Sequence, residues 1–239
     1  MRNTLFLLAA CAMAGANLSA QATIYGDATG DVFTGAGGGI LDITSVEVTT
    51  TGSDMNFKIN LAGDPVGTDW GKYLIGIHTG AGGDTVGNGW GRPISLSTGM
   101  NYWIGNWADS GNGEQLYQYT GAWNQINAWG NFAGPGATAQ FDAGFGVAKG
   151  LNFVNVQVPF AALGLGPTST FSFDVYTAGG NGGDGAIDSL ANPSQTISDW
   201  GNAYSSGLSV SYTVPEPTAL ALLGLGGLVL GQRSFRRRN

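Results

Sequence analysis

Five aspartates in two glycine-rich segments are the residues best suited to hold a metal ion. Asp27 and Asp31 flank a short Ala-Thr-Gly loop, and Asp42 begins a predicted strand that can return beside that loop. Asp184 and Asp188 lie in a second segment, where the letters GGNGGD match one unit of a stacked calcium-binding repeat. Carboxylate oxygens on glycine-permissive loops are typical ligands of calcium. The sequence therefore predicts calcium as a cofactor of either segment, and ordinary Asp-Gly turns are the open alternative.

Three tryptophans have the type and spacing expected of a sugar-binding surface. Trp103 and Trp107 are predicted to project from the same side of one strand, with Gly105 leaving a flat space between them. Trp90 lies in a glycine-rich loop that gives a large ring little local reason to be buried. An indole ring stacks on the apolar C–H face of a sugar, and nearby amides bond the hydroxyls. These residues predict contact with a polysaccharide, and packing in the core is the open alternative.

Groups suited to catalysis are few. His78 is the one histidine, no Gly-x-Ser-x-Gly motif surrounds any serine, and Cys11, the one cysteine, lies in an N-terminal apolar run. A zinc site or a haem site needs further ligands, and a glycosidase needs two carboxylates that face each other across a cleft. Glu47 and Glu114 are the only glutamates between residues 23 and 213. We therefore expect a non-catalytic protein, with a polysaccharide-active enzyme of unrecognised carboxylate site as the alternative.

Charge and glycine content narrow the class of protein. Residues 23–213 carry 15 carboxylates against four basic residues, a net charge of −11. A body this acidic repels phosphate, so we expect no nucleic-acid partner. Glycine supplies 42 of the 239 residues, which disfavours helices, and the aromatic content of 11% is too high for a disordered chain.

The elements that must position these residues are predicted to be strands. Apolar side chains alternate with polar ones near residues 55–61, 154–158 and 171–175, whereas residues 72–78 are apolar on both faces and predict a central strand. Residues 160–165 are the only helix-like segment of the body. Nine or ten short strands joined by polar, glycine-rich loops predict an all-β fold, a single jelly-roll-like β-sandwich over residues 23–213.

The N-terminal 22 residues have the features of a cleaved secretory signal. Arg2 precedes a short apolar run at residues 5–16, and small residues follow. Cleavage after Ala20 and cleavage after Ala22 are both open, as is lipoprotein processing at Cys11 in the segment Leu-Ala-Ala-Cys. Cleavage after Ala20 or Ala22 leaves a mature chain without cysteine, which excludes disulfides.

Residues 214–239 combine a short motif, an apolar run and a basic end. The letters VPEP at 214–217 precede TALALLGLGGLVLG at 218–231, which as a helix spans about 21 Å, and four arginines follow. This order resembles the PEP-CTERM sorting signal of Gram-negative bacteria that export extracellular polymeric substance. The resemblance implies export through the inner membrane, transient anchoring by a short transmembrane helix, and processing by the membrane transpeptidase exosortase. It implies a recognition motif at Val214, Pro215, Glu216 and Pro217, and a stop-transfer cluster at Arg233, Arg236, Arg237 and Arg238. An ordinary C-terminal membrane anchor is the alternative.

Several segments of the body resemble secreted sandwich domains of the family-nine carbohydrate-binding-module and DOMON-like type. They include YGDATGD at 25–31, DPVGTDWGKYLIGIHTG at 64–80 and VQVPFAALGLG at 156–166. The resemblance implies a β-sandwich that binds a sugar or another ligand. With the sorting signal, it predicts an exported surface or extracellular-matrix protein whose partners are exosortase and a polysaccharide.

Overall fold

The computed structural model describes residues 22–216 except positions 52, 81, 131–144 and 196. Residues 1–21 of the predicted signal at 1–22, the predicted helix at 218–231 and the four terminal arginines lie outside these residues. Within the described part of the chain, no helix has the length and apolar character needed to cross a membrane.

The described residues form fourteen strands and one 3-10 turn. The strands are β1 Thr23–Gly26, β2 Ile43–Thr51, β3 Asp54–Leu61, β4 Lys72–His78, β5 Ile94–Leu96, β6 Tyr102–Trp107, β7 Gly113–Tyr119, β8 Trp123–Gly130, β9 Gly146–Gly150, β10 Phe153–Pro159, β11 Thr170–Ala178, β12 Asp188–Ser189, β13 Tyr204–Ser206 and β14 Val210–Thr213. The 3-10 turn, Phe160–Leu163, connects the two sheets.

Two antiparallel sheets pack face to face. One sheet has the order β1-β2-β3-β10-β9, and the other has the order β12-β11-β4-β6-β7-β8, with β14 also paired to β11. β3 pairs with β10, and β4 pairs with β11, so strands distant in sequence are neighbours at the centre of each sheet. The prediction of an all-β sandwich is confirmed, and the jelly-roll classification stays a prediction.

The main core is formed by every second side chain of the long strands, because alternate side chains point to the same face of a sheet. In β3, Met55, Phe57 and Ile59 are fully buried, and they face β4, β6 and β11 of the opposite sheet through residues such as Ile75 and Phe173. β10 repeats the pattern with three buried valines. Burial of each such side chain stabilises the fold by about 1.5–3 kcal/mol.

A second apolar layer covers the outer face of the seven-stranded sheet. β4 is buried on both faces, as expected for the central strand that the sequence predicts. Leu74 of this strand packs under a cover formed by residues 83–100 and 184–206, in which β5 and β13 pair in parallel. Trp103 and Tyr176 lie beneath the same cover. The fold is therefore a sandwich with one additional layer of loops.

The sequence predicts nine or ten strands, and the structure contains more because four are too short to show a pattern. β1, β5, β12 and β13 have two to four residues each. A strand of this length has too few positions for alternation. β1 and β12 form because the longer strands β2 and β11 offer unpaired hydrogen-bonding groups, whereas β5 and β13 pair with each other.

One buried carboxylate lies in the main core. Glu114 of β7 is fully buried and is directly opposite Asn106 of β6, which is also fully buried. Burial raises the pKa of Glu114 well above its usual value. The folded protein therefore favours the protonated form of Glu114 more strongly than the unfolded chain does.

We predict that Glu114→Gln removes part of the pH dependence of stability. Above about pH 4.5 the unfolded chain loses the Glu114 proton but the folded chain keeps it, so wild-type stability falls as pH rises toward the folded pKa. The difference in free energy of unfolding between variant and wild type should grow in favour of the variant as the pH rises above about 4.5, by at most about 1.4 kcal/mol per pH unit.

Urea unfolding at several pH values measures this difference. Glu47→Gln is the matched control, because Glu47 lies on the sheet surface 4.0 Å from Lys58 and is only partly buried. Equal pH slopes for Glu114→Gln and wild type would contradict the prediction.

Candidate functional site

The outer face of β6, β7 and β8 carries a row of aromatic and amide side chains. Alternation sends Ile104 and Leu116 into the main core, so their neighbours in the strands face outward. Trp90 reaches the same face from the loop between β4 and β5. We call this set the aromatic strip, and it consists of Trp90, Trp107, Gln115, Tyr117, Trp123 and Gln125.

Glycines allow the rings of the strip to lie flat against the backbone. A Cβ atom at Gly105 would overlap the Trp90 ring, one at Gly89 would overlap Tyr117, and one at Gly113 would overlap Trp107. Each of these rings is partly buried. The space above Gly105, which the sequence left open for a sugar, is therefore filled by Trp90.

Hydrogen bonds fix the strip. The Trp90 indole N–H donates to Oε1 of Gln115 at 2.7 Å, and the Tyr117 hydroxyl lies 3.2 Å from the same oxygen. At the far end, the Trp123 indole N–H donates to Oδ2 of Asp84 at 2.7 Å. The Trp90 and Trp107 ring centroids are 6.3 Å apart, with a tilt of 37°. The two indoles form a continuous surface whose geometry is set before any ligand binds.

Trp103 does not belong to this surface, which corrects the sequence-based pairing of Trp103 with Trp107. Trp103 is fully buried and stacks on Tyr176 at 6.1 Å between centroids. Its strand position does place it on the same face as Trp107, but the loop layer covers its end of β6 and leaves the other end uncovered. Trp90, from the loop, is the partner of Trp107.

Aspartates from three segments meet at one end of the sandwich. Carboxylate oxygens of Asp27, Asp31 and Asp188 all lie within 4.8 Å of one another. Asp42 lies against the same loop, because its Oδ2 accepts a hydrogen bond of 2.9 Å from the Gly30 amide. We call these four residues the aspartate cluster.

The structure combines members of both predicted calcium segments and separates Asp184 from Asp188. Asp188 is directed at the cluster from β12, where Oδ2 also accepts a hydrogen bond from the Ile43 amide at 2.6 Å. Asp184 instead binds its own loop, through the Asn181 amide at 3.0 Å. No local sequence pattern predicts that Asp188 joins the cluster and Asp184 does not. The position of Asp188 depends on the pairing of β12 with β11, and β12 has only two residues, too few to show a pattern.

Crowding and burial change the acidity of the cluster. Burial raises the pKa of Asp188 to about 8, and the charges of Asp27 and Asp31 add to the effect. Burial likewise raises the pKa of Asp27 to about 7, with contributions from Asp31, Asp174 and Asp42. The negative charge of this site is therefore costly unless a proton or a cation compensates for it.

The histidine and the two glutamates considered for catalysis lie in separate places in the fold. Nδ1 of His78 is 2.7 Å from the Gly99 carbonyl oxygen, at the end of β4. Glu47 is opposite Lys58 on the surface of the five-stranded sheet, whereas Glu114 is inside the core. These two glutamates are on different sheets and do not face a common cleft.

The sandwich ends where the C-terminal motif begins. Val214 is 3% exposed, and its backbone exchanges two hydrogen bonds with the turn at 168–169, Val214 N to Ser169 O at 2.9 Å and Thr168 N to Val214 O at 3.0 Å. Pro215 and Glu216 are exposed, and Pro217 lies outside the described residues. The first three motif residues therefore follow the folded body without a linker.

Comparison with known proteins identifies this segment and not the body. Residues 213–238 match the PEP-CTERM protein-sorting motif. No curated protein matches the chain. The resemblance of the body to family-nine carbohydrate-binding modules and DOMON-like domains is not supported by a match, although the body is a β-sandwich. The motif implies a C-terminal transmembrane tail and indicates a protein that is exported, targeted to exosortase and sorted toward the cell surface.

Proposed function

We propose that this protein is a non-catalytic component of the cell surface or extracellular matrix, and that its aromatic strip binds polysaccharide. One observation supports the proposal above the others. Trp90 and Trp107 form a partly exposed pair on the outer face of the seven-stranded sheet, with amide groups beside them.

The chemistry of the strip suits a sugar chain. Indole rings offer flat apolar faces to the C–H groups of a pyranose, while Gln115 and Gln125 offer amide donors and acceptors to its hydroxyls. The rings rest on glycine backbone, and hydrogen bonds hold Trp90 in place, so little side-chain freedom is lost on binding. A strip of this kind favours an extended chain over a small molecule in a deep pocket.

The charge of the body favours a neutral polysaccharide. Residues 23–213 carry a net charge of −11, which disfavours contact with a polyanion. Arg92 lies under the Trp90 ring at 5.5 Å, but it is buried and donates to the carbonyl oxygens of Asp184 and Gly179. Inside the fold, the Arg92 side chain holds the Trp90 ring of the strip in position through these contacts.

The alternative of a polysaccharide-active enzyme needs a carboxylate beside the strip that is available for proton transfer. Asp84 is in contact with the strip, but its Oδ1 accepts hydrogen bonds from the Val86 and Gly87 amides, and its Oδ2 accepts one from Trp123. Both oxygens of this carboxylate are thus occupied in holding the loop and the Trp123 ring. We therefore favour binding without catalysis, and an assay for new reducing ends on the bound polysaccharide distinguishes the two functions.

We predict that Trp107→Ala weakens polysaccharide binding and leaves the domain folded, whereas Trp103→Ala destabilises the domain. Loss of the partly exposed Trp107 ring should weaken affinity at least about tenfold, which corresponds to about 1.4 kcal/mol. Truncation of the buried Trp103 should cost about 3–5 kcal/mol of stability. Affinity electrophoresis of the exported protein, in gels that contain extracellular polysaccharide from the producing cells, measures binding, and thermal melting measures stability.

The control for binding is Trp200→Ala, because Trp200 is also partly buried but packs on Phe33 and Trp70 away from the strip. A folded Trp107→Ala variant that keeps full retention in the gel would contradict the proposed binding surface. New reducing ends produced by the wild type would favour the enzymatic alternative.

We also predict that the exported protein loses its C-terminal segment near the motif. Pro215 and Glu216 are exposed directly after the docked Val214, so exosortase can reach them without unfolding the sandwich. Pro215→Ala combined with Pro217→Ala should preserve the tail, because the recognition element is lost. Pro167→Ala, in an exposed turn of the body, is the matched control.

Intact-mass spectrometry of the exported fraction measures the outcome. A wild-type protein that still ends at Asn239 would contradict processing, and it would favour a permanent membrane anchor.

A further inference from the structure

The aspartate cluster joins three parts of the chain that are far apart in sequence. Asp27 and Asp31 come from the loop after β1, Asp42 precedes β2, and Asp188 begins β12 of the opposite sheet. Oxygens of Asp27, Asp31 and Asp188 are mutually within 4.8 Å. This convergence, and not any single loop, defines the site.

A deeply buried and incompletely bonded side chain lies against the same loop. Asp42 is 6% exposed, and its Oδ1 is shielded from solvent and has no hydrogen-bond partner among the described residues. Its other oxygen is held by the amide of Gly30, in the loop that carries Asp27 and Asp31. Both oxygens of Asp31 and Oδ2 of Asp27 are likewise shielded and without a hydrogen-bond donor.

No basic side chain compensates for these carboxylates within the described residues. The three ion pairs found there use Lys58, Lys72 and Lys149, and each pairs with a carboxylate outside the cluster. Arg92 donates to backbone carbonyls at another position. Buried charges of one sign are strongly destabilising unless they are paired or coordinate a metal.

We propose that the aspartate cluster binds one calcium ion, with Asp27, Asp31 and Asp188 as ligands and Asp42 as a fourth carboxylate. Calcium takes oxygen ligands at 2.3–2.6 Å, so two ligands of one ion are at most about 5 Å apart. Separations within 4.8 Å are compatible with one such ion. Calcium takes six to eight oxygen ligands and accepts several carboxylates, whereas magnesium is usually held by one or two carboxylates and keeps several waters.

The ion joins the two sheets at one end of the sandwich. The Asp188 carboxylate already receives the amide of Ile43 at the start of β2, and its neighbour Ser189 binds Asp174 of β11 at 2.7 Å. Calcium at this point would connect the loop after β1, the start of β2 and the edge of β11. It would stabilise the body after export, with a dissociation constant of about 10⁻⁴–10⁻³ M, as for extracellular modules.

Thermal melting of the full-length chain purified in detergent, with calcium chloride or with chelator, tests the proposal. At a hundredfold excess of calcium over the dissociation constant, the ratio of folded to unfolded protein should rise about a hundredfold. Asp31→Asn should abolish this response. In chelator the same variant should melt at or above the wild-type temperature, because it removes one of several neighbouring negative charges.

Asp184→Asn is the matched control, since Asp184 lies in a predicted calcium segment but outside the cluster, and it should keep the full response. A wild type that does not respond to calcium would overturn the proposal, as would an Asp31→Asn variant that keeps the response. Equal stabilisation by magnesium chloride would overturn the assignment to calcium. Calorimetric titration of the wild type with calcium chloride is an independent measurement, for which one ion per chain is expected and none would overturn the site.

Discussion

The central strand pair β4–β11 is buried on both faces, and the rest of the structure depends on covering both. The five-stranded sheet covers the inner face through Phe57 and its neighbours. The outer face needs a second cover, which the chain supplies as loops instead of a third sheet. These loops determine both sites: the first carries Trp90 to the end of β6, and the second returns along β11 as β12 and places Asp188 at the sheet edge.

Buried polar groups hold this cover in position. Arg92 is 5% exposed and donates to two carbonyl oxygens of the segment at 179–184, so it joins the two covering loops to each other. Ser189 binds both Asp174 of β11 and the Tyr204 hydroxyl of β13. Each of these contacts is made in a region of low dielectric, where an unsatisfied group is costly, so the loops adopt one arrangement.

The sorting segment, the aromatic strip and the aspartate cluster lie in three separate parts of the molecule. The C-terminal segment that matches the sorting motif begins where the folded body ends, at a docked valine. The aromatic strip lies on the part of the outer sheet face that the loops leave uncovered. The aspartate cluster lies where β1, β2 and β12 meet, so a change there acts on the stability of the body without altering the strip directly.

The sequence by itself determined the features that depend on near neighbours in the chain. Alternation of Met55, Phe57 and Ile59 predicts a strand with one buried face, because side chains in a strand point to opposite sides in turn. The sorting motif is also readable, because a linear segment carries it. Tertiary structure alone decided which residues of a face are exposed and which acids meet. Trp103 and Trp107 share a face, yet only Trp103 is fully buried, under loops whose path their own strand does not encode. Asp188 meets Asp27 because two distant segments pack on the same strand pair, and that packing is set by the burial of apolar surface over the whole fold.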